Sequence, residues 1–369
     1  MTSERTSTAS SPAIFGTIKD DLGRGDFTRT IRRDFQELKE YMLDEDRKKR
    51  LSEMGRIKRA LVVMWWLLKS LFFKLTPARR LLLVLGILLI VISRTAVYSG
   101  DNFDLSIDVH GIGVVVILVV LMLELKDKLV AHDELRAGRA VQQALMPERK
   151  PRVPGWELWL FTRSANEVGG DLVDFMRVAD NRFGVAIGDV AGKGLSAALL
   201  TAKLQATLRA LVADFTSLAD FGAKLNQIFC RDSLKNIFAS LVYIELAPDS
   251  GFIRVVNAGH IPPAIVKLGA VHKTEKGGVA LGIMPGATFD EQRFELEKGS
   301  LLVVYSDGFT EAQNEAGEFF GEQRLLNLLP RLTGLSSEHA GETLVAEVER
   351  FVGEGKASDD LSIVVVRKG

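Results

Sequence analysis

The amino-acid sequence predicts an α+β protein, in which antiparallel strands are flanked by helices and preceded by a helical membrane region. Apolar residues are concentrated between residues 60 and 125, and this concentration predicts the membrane region. After residue 155, short strand patterns alternate with two helical stretches, and turn-rich connectors join successive strand patterns. Antiparallel strands with helices laid against them form a layered α+β domain.

The composition excludes several classes of protein. The 369 residues contain 47 Lys and Arg against 47 Asp and Glu, so the net charge is zero and no nucleic-acid partner is expected. The single cysteine, Cys230, excludes an internal disulfide framework and a zinc site built on several thiolates. The length predicts about two or three domains.

Residues 1–60 are predicted to form a cytoplasmic segment. Its Ser- and Thr-rich start, residues 1–12, has the composition of a disordered region. Apolar residues then recur at helical spacing within dense alternating charge, which predicts a helix further on. Two interpretations of that helix stay open: a solvated helix that leans on a neighbour, or an element that receives a cytoplasmic signal.

Residues 61–125 are predicted to be a membrane region with one interfacial stretch and two transmembrane helices. Residues 60–75 mix aromatic and cationic side chains, which suits the bilayer interface. Residues 81–93 carry no charge, but such a segment rises only about 20 Å against roughly 30 Å of bilayer core. We therefore expect residues 95–99 to extend this helix, and residues 109–123 to form the second span.

The charge pattern predicts the orientation of these spans. Basic residues before the first span and after the second place the N-terminus and the C-terminal domain in the cytoplasm, with the chain in the inner (cytoplasmic) membrane. A buried helical pair in a soluble domain stays open as the alternative, because both runs are shorter than a usual span. Residues 126–150 are predicted to form a linker helix that ends near Pro147. Its apolar stripe is irregular, so a homodimer through this helix is a hypothesis.

Residues 151–369 are predicted to form the α+β domain. The strand patterns cover residues 156–163, 171–178, 182–190, 238–246, 251–259, 293–297, 301–307 and 360–367. Apolar residues at three- and four-residue steps predict helices over residues 195–212 and 218–229.

Acidic residues mark the ends of these strand patterns. Asp171 follows two glycines, Asp189 ends a strand in IGDVAGKG, and Asp307 ends another in VVYSDG. The pair Asp359 and Asp360 opens the last strand. Carboxylates that leave strand ends beside glycine can point into one cleft, as in oxygen cages for hard cations. Mg²⁺ or Mn²⁺ suits such ligands better than zinc.

Each of these motifs, taken alone, has another explanation. Each aspartate alone is more easily a turn former or a helix cap, so the prediction depends on the whole set. IGDVAGKG lacks the spacing and the Ser or Thr of a phosphate-binding P-loop. VGGDLVDF carries Leu172 where diguanylate cyclases need an acid. In NAGHIPP, His260 is interpreted as a satisfied loop histidine rather than as a general acid or base.

Taken together and in order, these segments resemble the bacterial SpoIIE-type branch of the metal-dependent protein serine/threonine phosphatases (PPM family), relatives of protein phosphatase 2C. The matching segments are ELRAGRAVQQALMP (134–147), EVGGDLVDF (167–175), IGDVAGKGLSAALLTAKL (187–204), FASLVYIEL (238–246), NAGHIPPAIV (257–266), LGIMP (281–285), LLVVYSDGFTEAQNEAGEFFG (301–321) and DDLSIVVVR (359–367). Ile261, Ser306 and Ser362 depart from the family pattern, but no carboxylate is lost.

The resemblance implies a β-sandwich flanked by helices, with two Mn²⁺ or Mg²⁺ ions between its sheets. It implies that Asp189 bridges the two ions and that the Val190 carbonyl adds an oxygen. The further ligands that it implies are Asp171, Asp307 and Asp359, with Asp360 open as a partner or replacement for Asp359. Asp189 and Asp307 are the residues that we expect to be central to catalysis.

The implied reaction is hydrolysis of phosphoserine or phosphothreonine on a protein by water, without a protein nucleophile. The implied substrate is an anti-sigma-factor antagonist in a partner-switching pathway. We expect the membrane hairpin and the linker helix to set the activity by changing how two such domains pair. The alternative is an inactive pseudo-phosphatase that acts as a membrane-anchored binding scaffold.

Overall fold

The computed structural model describes residues 55–92, 95–100, 103–232, 237–248, 250–355, 357 and 359–369. The chain divides into two compact units, residues 1–128 and residues 129–369. The cytoplasmic segment predicted over residues 1–60 lies almost entirely outside the described residues.

The first unit contains helices and a two-stranded hairpin. Helix α1 spans Arg56–Lys74 and α2 spans Pro77–Ile92. Strand β1 (Thr95–Gly100) pairs antiparallel with β2 (Phe103–Asp108), and helix α3 (Val109–Leu145) follows directly. The expectation that residues 95–99 extend the second helix is therefore wrong. This segment is rich in β-branched and aromatic residues, which favour an extended backbone when a partner strand is in reach.

Helices α2 and α3 approach closely at two glycines. A Cβ on Gly113 would lie 2.7 Å from the Gly86 carbonyl oxygen, so a larger residue there would have to displace the backbone. Beyond this contact, Arg79 Nη1 lies 2.7 Å from a carboxylate oxygen of Glu124 and 2.7 Å from one of Asp127. Small residues therefore set the distance between the helices, and an ion-pair cluster joins them near one end.

Two of the described helices are long and apolar enough to cross a bilayer. They are Val109–Leu145, with 11% of its apolar window buried, and Leu195–Asp214, with 39% buried. The second is a packed helix of the sandwich described below, and such core helices pass the same test of length and composition. Helix α2 has 16 residues. A transmembrane hairpin therefore stays a prediction.

The second unit is a sandwich of two five-stranded antiparallel sheets with helices on both outer faces. Its strands are β3 (Trp156–Arg163), β4 (Asp171–Ala179), β5 (Arg182–Val190), β6 (Ala239–Leu246), β7 (Phe252–Ala258), β8 (Ala264–Lys267), β9 (Ala270–Lys273), β10 (Glu291–Glu295), β11 (Leu301–Tyr305) and β12 (Leu361–Lys368). Its helices are α4 (Leu195–Leu211), α5 (Leu218–Asp232), α6 (Glu322–Leu328) and α7 (Ser337–Val352). The first sheet has the order β10-β7-β6-β5-β4, and the second has the order β3-β12-β11-β8-β9.

Three apolar layers hold this unit together. Between the sheets, inward-facing residues such as Ile187 and Val304 are fully buried. Outside the first sheet, α4 and α5 bury residues such as Leu208 against it. Outside the second sheet, α7 lies so close that a Cβ on Gly341 would meet the ring of Trp159. The predicted α+β class is confirmed, because alternation along each strand supplies one apolar face to each layer.

Candidate active site

The first sheet brings two of the predicted ligands side by side. Asp171 begins β4, and in the antiparallel register it lies opposite Asp189 near the end of β5. Residues that face each other in such a pair have Cα atoms about 4.5–5.5 Å apart, so the two carboxylates belong to one end of the sheet.

The second sheet contributes two more carboxylates at one of its own ends. Strands β11 and β12 are antiparallel neighbours. Beyond their last pair, the Ser306 N–H donates to the Ser362 carbonyl at 2.9 Å, and the Ser362 N–H donates to Ser306 Oγ at 3.0 Å. Asp307 follows this contact and begins a short 3₁₀ turn, Asp307–Phe309, while Asp359 precedes it. Both residues therefore leave the sheet at the same end.

The two sheet ends share one cavity. Asp189 and Asp307 line a cavity of about 180 Å³. Burial raises the pKa of Asp189 to about 6, and the negative charges of Asp307 and Asp359 add to this increase. Burial and then the charge of Asp359 likewise raise the pKa of Asp307. The three carboxylates therefore repel one another across the cleft.

Asp171 is the most buried of these carboxylates. Its side chain is 8% exposed, and Oδ2 has no hydrogen-bond partner within the described part of the chain. Burial raises its pKa well above the usual range, a hydrogen bond from Ser362 opposes this, and the charge of Asp189 adds to it. A buried carboxylate oxygen without a partner is costly unless another group, such as a cation, satisfies it.

A main-chain oxygen lies beside the Asp189 carboxylate. The Val190 carbonyl oxygen is 3.0 Å, and Asp189 Oδ1 is 3.1 Å, from the position that a Cβ on Gly170 would take. Only glycine leaves this space open. The two oxygens therefore face the same point beside the loop that carries Asp171.

The two adjacent aspartates before β12, Asp359 and Asp360, make different contacts. Asp360 Oδ1 accepts the Ala165 N–H at 2.8 Å, and Oδ2 accepts the N–H groups of Gly170 at 2.7 Å and Asp171 at 3.3 Å. Asp360 thus holds the backbone of the loop that leads into β4. The Asp359 side chain is 39% exposed. This arrangement favours Asp359, and not Asp360, as the residue whose carboxylate is available to a cation.

The donor set fits hard divalent cations. Carboxylates and a main-chain carbonyl supply oxygen ligands, which Mg²⁺ and Mn²⁺ prefer. No three of the described His, Cys, Asp and Glu side chains stand close enough to form a closed cage around one ion. The carboxylates instead border the cleft from two sheets, and the orphaned Asp171 Oδ2 and the mutual repulsion at Asp189 are both relieved by bound positive charge.

The structure also shows a residue that the sequence did not single out. Gln142, on α3, donates from Nε2 to the Gly169 carbonyl at 2.9 Å, and its Oε1 accepts the Gly169 N–H at 3.1 Å. Next to it, the Thr201 hydroxyl on α4 donates to the Gly170 carbonyl at 2.6 Å. A glutamine inside an otherwise apolar stripe near the end of the linker helix was the signal available in the sequence.

His260 belongs to the same cleft. The Asp189 N–H donates to Ser240 Oγ at 3.2 Å, and Ser240 Oγ lies 2.8 Å from His260 Nδ1. The Ser240 hydroxyl therefore joins the Asp189 backbone to the imidazole ring. Burial lowers the pKa of His260 to about 4, so the ring is neutral at physiological pH. Nδ1 of this histidine has a partner, as the interpretation of a satisfied loop histidine requires, whereas the buried Nε2 has no partner of good geometry among the described residues.

Comparison with solved structures defines the fold class. The SiaA-PP2C domain of Pseudomonas aeruginosa superposes with a TM-score of 0.57 at 20% sequence identity, covering 65% of this chain and 98% of that one. At this level of identity the likeness concerns the fold alone. The two-sheet sandwich with carboxylates at one end is therefore a PP2C fold.

Comparison with sequence families gives the particular family. The family described as Stage II sporulation protein E (SpoIIE) matches residues 179–369, which is more than half of the chain, and this protein belongs to that family. Phosphoserine phosphatase RsbU of Bacillus subtilis is 25% identical over 244 residues, which cover 64% of this chain and 70% of RsbU. Protein IcfG of Synechocystis is 27% identical over 276 residues, covering 66% of this chain and 42% of IcfG. The chain therefore spans less than half of IcfG, and the predicted SpoIIE resemblance is confirmed.

Proposed function

We propose that this chain is a divalent-metal-dependent phosphatase that hydrolyses phosphoserine or phosphothreonine on a partner protein. The observation that carries the proposal is that Asp189 of the first sheet and Asp307 of the second sheet line one cavity, with Asp171 paired opposite Asp189. The name of RsbU, a phosphoserine phosphatase, supports this substrate class. The partner that we propose is an anti-sigma-factor antagonist of a partner-switching pathway.

The cleft residues divide the binding of two Mn²⁺ or Mg²⁺ ions between the sheets. Asp171, Asp189 and the Val190 carbonyl would hold them from the first sheet, and Asp307 and Asp359 from the second. When bound, the cations acidify a water molecule and neutralise charge on the phosphoryl group. Burial and then repulsion by the neighbouring carboxylates raise the pKa of Asp189 to about 6, and bound positive charge would relieve that repulsion.

The supporting residues keep these carboxylates in place. Asp360 fixes the loop before Asp171, and Ser240 fixes the backbone at Asp189. The thiol of Cys230 lies on α5 and contacts Asn226, and neither residue lines the cleft cavity. Hydrolysis by water, without a covalent phosphoenzyme, is consistent with this arrangement.

Metal-dependent turnover of the full-length chain tests the proposal. Phosphate release from a phosphoserine protein and from p-nitrophenyl phosphate is measured with Mn²⁺, with Mg²⁺ and with EDTA. We expect Asp189→Asn and Asp307→Asn to reduce kcat/KM by at least about a hundredfold, because each removes a ligand of the charged transition state. Asp290→Asn, at an exposed acid outside the cleft, is the matched control.

Two outcomes would contradict the proposal. Turnover that survives EDTA would exclude divalent cations from the reaction. No turnover with any metal, together with binding of the phosphorylated partner, would favour the scaffold alternative. The complete set of carboxylates around the cleft is the observation that favours the enzyme.

We also propose that residues 61–125 anchor the chain in the inner membrane, with the N-terminus and the phosphatase domain in the cytoplasm. The support is that α3 begins in an apolar segment and runs unbroken from Val109 to Leu145, into the linker over residues 126–150. Sedimentation with membranes after alkaline extraction, and protease access from the cytoplasmic side, test the anchor and its orientation. Light scattering of the detergent-solubilised chain tests the proposed homodimer through this helix.

A further inference from the structure

A cationic side chain lies beside one carboxylate of the acidic cleft. Lys193 follows the end of β5, and its Nζ lies 3.7 Å from Asp359 Oδ2. The residues on either side, Gly192 and Gly194, have φ angles of 122° and 72°, and no atom lies within 4 Å of a Cβ built on either. These glycines therefore hold Lys193 on a turn that stands clear of neighbouring segments.

Folding stability does not account for this lysine. Its side chain is 68% exposed, and the Asp359 side chain is 39% exposed. Ion pairs between side chains this open to solvent contribute little to stability, because water screens the attraction and the long side chain loses freedom. The position of Lys193 therefore calls for an explanation from the chemistry of the cleft.

The charge of Lys193 acts on the proposed catalytic carboxylates. Burial and the charges of Asp307 and Asp359 raise the pKa of Asp189, and the ammonium of Lys193 opposes that increase. The ammonium thus interacts with carboxylates of both sheets, although most of its side chain is in solvent. The ammonium therefore places positive charge beside a partly exposed carboxylate of the cleft, where a ligand from solvent can reach it.

We propose that Lys193 binds the phosphoryl group of the substrate. The inference rests on the proposed phosphatase function and names a residue that recognises the phosphate. A phosphoserine side chain carries close to two negative charges at neutral pH, with oxygens that accept strong hydrogen bonds. A lysine ammonium is a compact donor of three N–H groups on a flexible stem, and it is a common phosphate ligand.

Lys193 can exchange Asp359 for a phosphoryl group at little energetic cost, because its contact with Asp359 is weak. In the structure, its ammonium faces Asp359 at 3.7 Å, which is longer than a hydrogen bond between charged groups. When a phosphoryl group occupies the cleft, the ammonium turns from Asp359 to a phosphoryl oxygen. Asp359 is then released toward the cations that we assign to it, so substrate binding and cation binding support each other.

The test compares Lys193→Gln and Lys193→Arg in the full-length chain. We measure kcat and KM for p-nitrophenyl phosphate, Ki for inorganic phosphate, and Mn²⁺ affinity by calorimetry without substrate. Lys193→Gln is expected to raise KM and Ki at least about tenfold, which is the effect of losing one charge-assisted hydrogen bond. Lys193→Arg keeps the charge and should stay within about threefold of the wild type, with Mn²⁺ affinity weakened by neither substitution.

A second exposed ion pair provides the control. Lys267 contacts Glu297 on the surface of the domain, so Lys267→Gln removes a comparable lysine at a site without a cleft. We expect this variant to leave KM, Ki and Mn²⁺ affinity unchanged. A change of the same size in both glutamine variants would overturn the inference, because it would be an effect of surface charge alone.

Further results would also overturn the inference that Lys193 binds phosphate. Unchanged KM and Ki in Lys193→Gln would show that the lysine does not touch phosphate. Altered Mn²⁺ affinity with unchanged Ki would show that it only neutralises the carboxylates. If the wild type releases no phosphate with any metal, the proposed function fails. Calorimetric binding of inorganic phosphate in the presence of Mn²⁺ then still tests Lys193, with weaker binding in Lys193→Gln expected and equal binding refuting it.

Discussion

Two adjacent aspartates that the sequence could not distinguish should respond oppositely to substitution. Asp360→Ala removes the acceptor of three backbone N–H groups, those of Ala165, Gly170 and Asp171, in a site where Asp360 is only 6% exposed. Each buried donor left without a partner costs about 1–3 kcal/mol, and the costs are not fully additive. We therefore expect Asp360→Ala to lower the free energy of unfolding by about 3–5 kcal/mol.

Asp359 makes fewer such contacts, because its Oδ1 accepts one backbone N–H, that of the adjacent Asp360, at 2.9 Å. Its side chain is 39% exposed, and its ion-pair partner, Lys193, is 3.7 Å away, so Asp359→Ala should lower the free energy of unfolding by about 1 kcal/mol or less. It should nevertheless reduce kcat/KM by at least about a hundredfold, because we assign Asp359 to cation binding.

Thermal unfolding of the full-length chain in detergent, without divalent cations, separates the two residues. For a domain of roughly this size, each 1 kcal/mol lowers Tm by about 2–4 °C, so Asp360→Ala should unfold roughly 6–20 °C below the wild type. Asp359→Ala should stay close to the wild-type Tm and lose Mn²⁺ binding in calorimetry. The reasoning is refuted if Asp360→Ala keeps the wild-type Tm but loses Mn²⁺ binding, because Asp360 would then be the ligand.

Three further predictions concern Gln142, His260 and Gly113. Gln142→Ala leaves two backbone groups of the loop before Asp171 without partners. It should lower kcat about tenfold and Tm by roughly 2–12 °C, because losing the two bonds costs about 1–3 kcal/mol, and Gln142→Glu should be intermediate in the phosphatase assay. Because burial lowers the pKa of His260 from 6.5 to about 4, the folded state binds fewer protons between these values, and stability falls as pH decreases through that window. Urea unfolding of His260→Gln should therefore show a flatter pH dependence there. Gly113→Val should lower the thermal stability of the α2–α3 hairpin in detergent, whereas Gly138→Val, where a Cβ meets nothing nearer than 3.5 Å, should not.

The sequence predicted the elements whose pattern is long enough to read. Strands β3 and β5 have the predicted bounds, because each is a run of eight or nine mostly apolar residues that turn residues delimit. The hairpin β8–β9 was not predicted, since each strand has only four residues. Helix α7 was also missed, although its signals were present: Ser336 caps it by accepting the His339 N–H, and apolar residues recur at helical steps.

The residues of the site could likewise be predicted only in part. Glycine-flanked aspartates at strand ends could be found by spacing, since each lies where an apolar run stops. Spacing could not decide between Asp359 and Asp360. Neighbouring residues of an extended segment point in opposite directions, and which of them faces the cleft depends on the register with the partner strand. Gln142 and Ser240 act on backbone groups 27 and 51 residues away in sequence, a relation that only the folded chain creates.

The loop that carries Asp171 connects the cleft to helix α3. Asp360 holds this loop from the side of β12, and Gln142 holds it from α3, with Gly169 between them. A Cβ on Gly169 would lie only 2.3 Å from Asp360 Oδ2, so the loop cannot shift toward β12 without breaking that contact. Breaking the two Gln142 bonds costs about 1–3 kcal/mol, which is within the range that a binding event at a distant site commonly supplies. A displacement of the α3 segment that carries Gln142 is therefore sufficient, on energetic grounds, to release the loop that leads to Asp171.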